Sequence, residues 1–373
     1  QTQDSEDAVE VAERILAELM RPVRLGDNEI YTNASIGIAP GHADYATTEE
    51  LLRDADTAMY RAKAAGKAGY VVFDQDMYAR ARSRLRVETE LRQALDNHEF
   101  RVFYQPIVTL EQGRLLGFEA LIRWQHPTRG LLSPEEFLLV AEETGLILPI
   151  GWWLLHEACG QLKRWRQRHP GAHSLTVAVN LAHKQFMYAG LPQQVSESLR
   201  AADLSADGLH LEITETVFLE NPKAAENTLR KLKALGIVLH LDDFGTGYSS
   251  LNYLSVLPLD TLKIDRSFVR DMQENPKHAA IVRTIVELAR DLGMETVAEG
   301  VETVDQLRML ERLGCHYGQG HLFAPALDSD RVDKLFDRAN LELVPAGEVG
   351  PEVHAGALRA GLIKRTRDFF RRV

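Results

Sequence analysis

Eight times between residues 100 and 320, a short apolar run of the length of a buried strand ends in a polar side chain and gives way to a helix or loop. The endings are Gln105 after RVFY, Glu119 and Arg123 around LLGFEALIR, Asn180 after LTVAV, Glu212 and Glu215 in HLEITE, Asp242 and Asp243 after IVLHL, Lys263 and Asp265 in TLKID, Glu299 and Glu302 in TVAEGVE, and Gln319 in CHYGQG. Strands separated by helices favour a parallel α/β sheet, and eight of them favour closure into a barrel whose strand ends form a rim. An open, doubly wound sheet is the competing arrangement of the same pattern.

The helices between these runs are punctuated regularly. Ser133, Pro134 and Glu136 make a capping box before FLLVAEETG, which Gly145 stops; Asn221 and Pro222 open NTLRKLKAL, which Gly236 stops. Pro276 precedes AAIVRTIVELARDL, where Ile281, Ile285, Leu288 and Leu292 fall on one stripe ahead of Gly293, and Thr303 with Gln306 caps DQLRMLERL ahead of Gly314.

A barrel of this kind needs about 250 residues, and the chain has 373, so a second piece is expected. Residues 1–75 read as α+β: a helical SEDAVEVAERILAEL, a hairpin around Gly26, Asp27 and Asn28, alternation in EIYTNASIGIA, a helix through LLRDADTAMYRAKAAG and a strand at GYVVF. Residues 76–98 carry both charge signs without Pro or Gly, the pattern of a connecting helix, and the barrel then occupies 99–338. Residues 339–373 read as a linker, VPAGEVGPEVHAGA, and a basic amphipathic tail, ALRAGLIKRTRDFFRRV, which suits anionic lipid, a partner or a solvated helix. The start at Gln1 reads as a piece of a longer protein.

A net charge of −11 argues against general nucleic-acid binding, which relies on basic surface. No apolar run approaches the ~18 residues of a membrane span. Cys159 and Cys315, far apart and each within an apolar stretch, suit free thiols in a reducing cytosol. A cytoplasmic location is therefore expected for this stretch, with an upstream membrane anchor left open.

Eight carboxylates at one mouth would repel one another, at ~4 kcal/mol per pair 4 Å apart in a medium of dielectric 20. Such a cluster needs cations. Carboxylates with the Asn180 carbonyl are hard oxygen donors suited to Mg²⁺ or Mn²⁺ rather than zinc. His126, His316 and His321 stand near the rim in sequence but read as ordinary core or surface residues. Asp242 and Asp243 are adjacent; at a strand's last residue the chain turns, so both can face the mouth and one can bridge two cations, the arrangement used for attack on a phosphodiester. FGTGYSS follows, with Gly245 and Gly247 able to form a mobile loop. Lys263 is the one rim lysine, placed to hold water or stabilise developing charge. Arg123 suits a phosphate oxygen and Gln105 a base edge or phosphate. Glu299 suits metal ligation, proton acceptance or both.

GFEALIRW, VNL at 179–181, LEITE, LDDFGTGYSSL, LKID, AEGVE and QG at 319–320 stand in order and spacing that resemble the EAL-domain cyclic di-GMP phosphodiesterases, over residues ~85–335. The resemblance implies a TIM-like (β/α)8 barrel with one strand running against the rest, and cleavage of cyclic di-GMP to linear pGpG with two Mg²⁺ or Mn²⁺ ions per site. It implies metal ligands Glu119, Asn180, Glu212, Asp242, Asp243 and Glu299, and Lys263 beside the nucleophilic water. Gln105, Arg123 and Asp265 would contact substrate, Glu302 and Gln319 are expected substrate-binding residues as well, and Glu215 would steady the loop after Asp243. A homodimer through the barrel is implied too. After Gln319 the sequence departs from the family's usual pattern at His321, Pro325 and Ala326. Residues 1–75 resemble the C-terminal half of a GGDEF domain through SIGIA and LLRDADTAMYRAKAAGKAGYVVF, without the motif that names that family, so an upstream sensor or the rest of a GGDEF region is the expected covalent neighbour. A silent cyclic di-GMP receptor is the alternative function.

Overall fold

Two contact-dense units make up the computed structural model, residues 1–90 and 91–373. It describes residues 5–338 apart from 21–22, 26–27, 31, 41–44, 46, 65–68, 74, 246–253 and 255. The expected hairpin turn at Gly26 and Asp27, Gly247 and the linker and basic tail lie outside the described residues.

In the first unit, β1 (Val23–Leu25) pairs antiparallel with β2 (Asn28–Ile30), and β3 (Ser35–Ile38) pairs parallel with β4 (Gly69–Val72). Helix Thr48–Ala64 crosses between them, and its Ala58 packs with Phe73 in a small core. Helix Gln75–Asp96 follows, spanning the boundary between the units.

The second unit is the barrel. Its strands are β5 (Phe100–Thr109), β6 (Leu115–His126), β8 (Thr176–Asn180), β9 (Leu209–Thr214), β10 (Val238–Phe244), β11 (Thr261–Ile264), β12 (Glu295–Ala298) and β13 (Tyr317–Gln319). They hydrogen-bond in the order β5-β13-β12-β11-β10-β9-β8-β6, and the β5–β6 pairing closes the ring. All neighbours are parallel except that β5 runs against both β6 and β13. The barrel is closed, so the open sheet is excluded.

Alternation sets what each strand offers. The odd residues of β10, Leu239 and Leu241, are buried against the helices, while His240 and Asp242 point the other way. Helix Pro276–Asp291 covers this shell with Val282, Ile285, Val286 and Ala289 buried, so its apolar stripe is shifted from the expected one and Ile281, Leu288 and Leu292 sit at its margin. Ile107, Ala178 and Val297 fill the interior below the mouth.

The helix punctuation holds. Asn221 accepts the Ala224 N–H at 3.1 Å, and Thr303 and Gln306 cap one another's backbones at 3.2 and 2.9 Å. Gly145 and Gly314 end their helices at φ 80° and 82°, conformations that strain any residue with a Cβ.

Two strands are longer than expected. Because β5 is antiparallel to its neighbours, Gln105 reaches the mouth mid-strand, directly opposite Glu119, rather than at a strand end. Likewise β6 continues past Glu119 and Arg123 to His126, because it rises above the mouth as a hairpin with β7 (Gly130–Leu132).

Candidate active site at the barrel mouth

Lys263 is the hub of the mouth. Its Nζ lies 2.6 Å from Glu299 Oε1, 2.7 Å from Glu212 Oε2, 3.2 Å from Asp242 Oδ1 and 3.9 Å from Glu119 Oε2. Lys263 and Glu212 are wholly inaccessible, and Glu119 and Asp242 are buried. Burial alone would push the ammonium towards neutrality, but the surrounding carboxylates win and raise its pKa well above the usual lysine value. Burial raises the Glu212 and Glu299 carboxyls well above theirs, with Lys263 opposing it.

Glu119 anchors the other side. Its Oε1 accepts from Asn180 Nδ2 at 2.6 Å, its Oε2 accepts from Gln319 Nε2, and Gln319 Nε2 also donates to Gln105 Oε1 at 3.0 Å. Four strands thereby share one polar network.

The adjacent aspartates are presented by a bulge. The β10–β11 register shifts between Leu241 and Phe244, and Asp243 takes φ 54° in the left-handed region. The strand does not end at the pair, as expected; it continues to Phe244 with a left-handed residue inserted, and that insertion removes the alternation that would point one carboxylate away. Asp242, Asp243 and Glu299 each offer an oxygen within 4.8 Å of the others. With Glu119 and Glu212 added, five carboxylates face one ammonium, so a hard divalent cation fits both the donor chemistry and the charge.

Three expected rim acids are not among the partners of Lys263, and Glu215 makes the loop-steadying contact the resemblance implied. Glu215 Oε1 accepts the Gly245 N–H at 3.0 Å, tying the start of the loop after β10 to the end of β9. Asp265 caps helix Arg266–Asp271 by accepting the Ser267 N–H at 3.0 Å. Glu302 is exposed, and its backbone N–H donates to Gln306 Oε1 at 2.8 Å. Fewer acids therefore meet at the mouth than the sequence pattern implied, since strand-end position does not fix side-chain direction once the chain has turned. Arg123 lies partly buried farther up β6, its guanidinium 5.7 Å from the Phe103 ring centre. His126 accepts turn N–H groups of Thr128 and Arg129, and His316 meets Thr296; neither joins the mouth.

Two functional neighbours were not picked out from sequence. His240 Nδ1 lies 3.3 Å from Glu212 Oε1, and the His210 ring meets the His240 ring edge-on with centres 4.8 Å apart. The signal was available: each histidine precedes a mouth acid by two positions, in HLEITE and HLDD, so strand alternation aims both into the barrel.

Fold and site together define a closed α/β barrel with an acidic, lysine-centred mouth whose oxygen donors suit a hard divalent cation. A family model of the EAL domain matches residues 88–326, and this chain belongs to that family. A model of the diguanylate cyclase GGDEF domain matches residues 1–69. Among curated proteins, the chain is 42% identical over 327 residues to the bifunctional diguanylate cyclase/cyclic di-GMP phosphodiesterase MucR of Pseudomonas aeruginosa, covering 87% of this chain and 47% of that protein. It is 38% identical over 337 residues to the cyclic di-GMP phosphodiesterase PdeR of Escherichia coli, covering 90% and 50%. The chain thus spans about half the length of the curated relatives it matches. Among solved structures, the PaMucR phosphodiesterase in complex with c-di-GMP aligns with a TM-score of 0.64 at 43% identity, over 66% of this chain and 99% of that one. The EAL enzyme Bd1971, bound to cAMP and cyclic di-GMP, aligns with a TM-score of 0.66 at 32% identity over 79% and 77%.

Proposed function

We propose that this chain hydrolyses cyclic di-GMP to linear pGpG, with two Mg²⁺ or Mn²⁺ ions held by Glu119, Asn180, Glu212, Asp242, Asp243 and Glu299. The observation that carries this reading is the convergence of Asp242, Asp243 and Glu299 oxygens within 4.8 Å beside a buried lysine. Bound divalent ions would supply Lewis acidity to the phosphate and lower the pKa of attacking water. The residues do the rest. Lys263, held protonated by its acids, orients the water oxygen and offsets negative charge developing on the phosphate. Glu299, whose Oε1 lies 2.6 Å from Lys263 Nζ, is placed to take the water's proton while Lys263 stays protonated. The Gln105 and Gln319 amides and the Arg123 guanidinium line the adjoining wall, where a guanine edge and phosphate oxygens would lie.

Relatives named as cyclic di-GMP phosphodiesterases and a relative solved with c-di-GMP support the substrate. A homodimer through the barrel and a cytoplasmic setting belong to the same reading; among the described residues no helix is long and apolar enough to cross a membrane, and Cys159 and Cys315 are free and buried. The test is product analysis after incubation with cyclic di-GMP, in Mg²⁺, Mn²⁺ or chelator. Linear pGpG forming only with metal is expected. Tight binding without product in any metal would establish a receptor instead.

A further inference from the structure

Glu212 is the most deeply placed acid of the mouth, and its two oxygens have separate partners: Lys263 on Oε2 at 2.7 Å and His240 on Oε1 at 3.3 Å. His240 stands directly across from Glu212 in the β9–β10 register, so the contact is set by strand pairing rather than by a flexible reach. Behind it, His210 presses its ring against the His240 ring at 66° between planes. His210, Glu212 and His240 are all buried, in an interior otherwise filled here by Ile107, Ala178 and Val297. A buried aliphatic residue would fill the His240 position as well for packing alone; an imidazole there brings a donor that the carboxylate can use.

We propose that His240, braced by His210, is a positioning residue of the metal site: it donates its Nδ1–H to Glu212 Oε1 and so fixes the plane of the Glu212 carboxylate. The inference rests on the reading of Glu212 as a metal ligand. Carboxylate ligands work best when a second partner holds the oxygen or lone pair that the ion does not use, because rotation about the last side-chain bond otherwise has to be frozen on binding. A carboxylate oxygen can only accept, so the one facing Nδ1 makes that nitrogen the donor of His240.

Two measurements test this on the intact chain. In ¹⁵N-histidine-labelled wild-type protein, His240 should show a protonated Nδ1 and a bare Nε2; the opposite tautomer overturns the proposal without any variant having to fold. The second is Mn²⁺ affinity, read from the electron paramagnetic resonance of free Mn²⁺. His240→Leu, which keeps bulk and removes the donor, should weaken Mn²⁺ binding by roughly 10- to 100-fold. His240→Asn, whose amide nitrogen falls near the Nδ1 position, should restore affinity to within about threefold of wild type. Glu212→Gln separates the two readings. If it binds Mn²⁺ as wild type does, or wild type binds none, the assignment of Glu212 is wrong and the inference goes with it. If Glu212→Gln loses Mn²⁺ while His240→Leu retains wild-type affinity, only the role of His240 is overturned.

Discussion

Lys263 Nζ lies 2.7 Å from Glu212 Oε2, and neither side chain has any exposed surface. A buried pair of this kind adds little net stability against an apolar replacement of both partners, but deleting one partner strands the other, at about 3–5 kcal/mol. Here the stranding would be worse than for an isolated pair, since Glu299 and Asp242 rely on the same ammonium.

Lys263→Met should therefore lose about 3 kcal/mol or more at pH 8 in chelator, with part of the loss recovered when Mn²⁺ is added. Turnover should fall by about 10²- to 10³-fold, with cyclic di-GMP affinity changed far less. Urea denaturation with and without metal, alongside kcat and binding titrations, checks this. A variant that loses only affinity would show that the lysine serves substrate rather than the transition state.

The metal-free protein should become less stable as pH rises. Glu212 and Glu299 have folded pKa values above their unfolded ones, so above the ordinary glutamate range the unfolded chain has released protons that the folded chain still holds. Stability is then full below the unfolded value and lost as pH climbs towards the folded one, by up to about 1.4 kcal/mol per pH unit for each group. A divalent cation replaces those protons and should flatten the slope. Urea midpoints from pH 5 to 8, in EDTA and in Mn²⁺, read the effect; a metal-free midpoint that rises across this range contradicts it.

Asp242→Asn should abolish metal-dependent turnover while leaving the fold intact. Removal of outer partners of metal ligands typically costs 10- to 100-fold, so a ligand itself should cost more than about 10². Circular dichroism and Mn²⁺ titration distinguish a lost ion from a lost fold. Retained Mn²⁺ affinity in this variant would remove Asp242 from the ligand set.

Glu215 acts at one remove. Its carboxylate holds the Gly245 amide where the chain leaves β10, so Glu215→Ala frees the first residue after the strand. Faster hydrogen exchange at Gly245 and a roughly tenfold drop in turnover are expected, the size of losing a supporting contact. Unchanged exchange at Gly245 would mean the contact does not order that turn.

The eight apolar runs and the capped helices between them carried the barrel, because period, caps and glycine stops are local signals that tertiary packing here does not override. That one strand runs against the rest came only through family resemblance, which did not say which one: nothing local in RVFYQPIVT distinguishes an antiparallel strand, and Gln105 reaches the mouth mid-strand because β5 is that strand. Rim acids were over-counted for a related reason. Asp265 ends a strand as expected, yet the chain has already turned there and its carboxylate caps a helix. Interior polar residues below the rim were under-read, since a histidine within an apolar strand looks like core until its register against Glu212 is known.

The bulge at Asp243 makes the most unusual stability forecast. At φ 54° a residue with a Cβ pays roughly 1–2 kcal/mol, which Asp offsets better than most through local hydrogen bonding and Ala does not offset at all. Both Asp243→Ala and Asp243→Gly remove a mouth carboxylate, so both should be inactive and both should be relieved equally of repulsion from Asp242. In ordinary strand interiors Ala is the better choice by about 0.5–1 kcal/mol, because Gly has more freedom to lose on folding. Here the order should invert, with Asp243→Gly more stable than Asp243→Ala by up to about 1 kcal/mol, as measured by urea denaturation in chelator. If Ala proves the more stable, residue 243 does not hold the left-handed conformation in solution. The two aspartates would then alternate across the strand like any other neighbours, and only one of them would face the mouth.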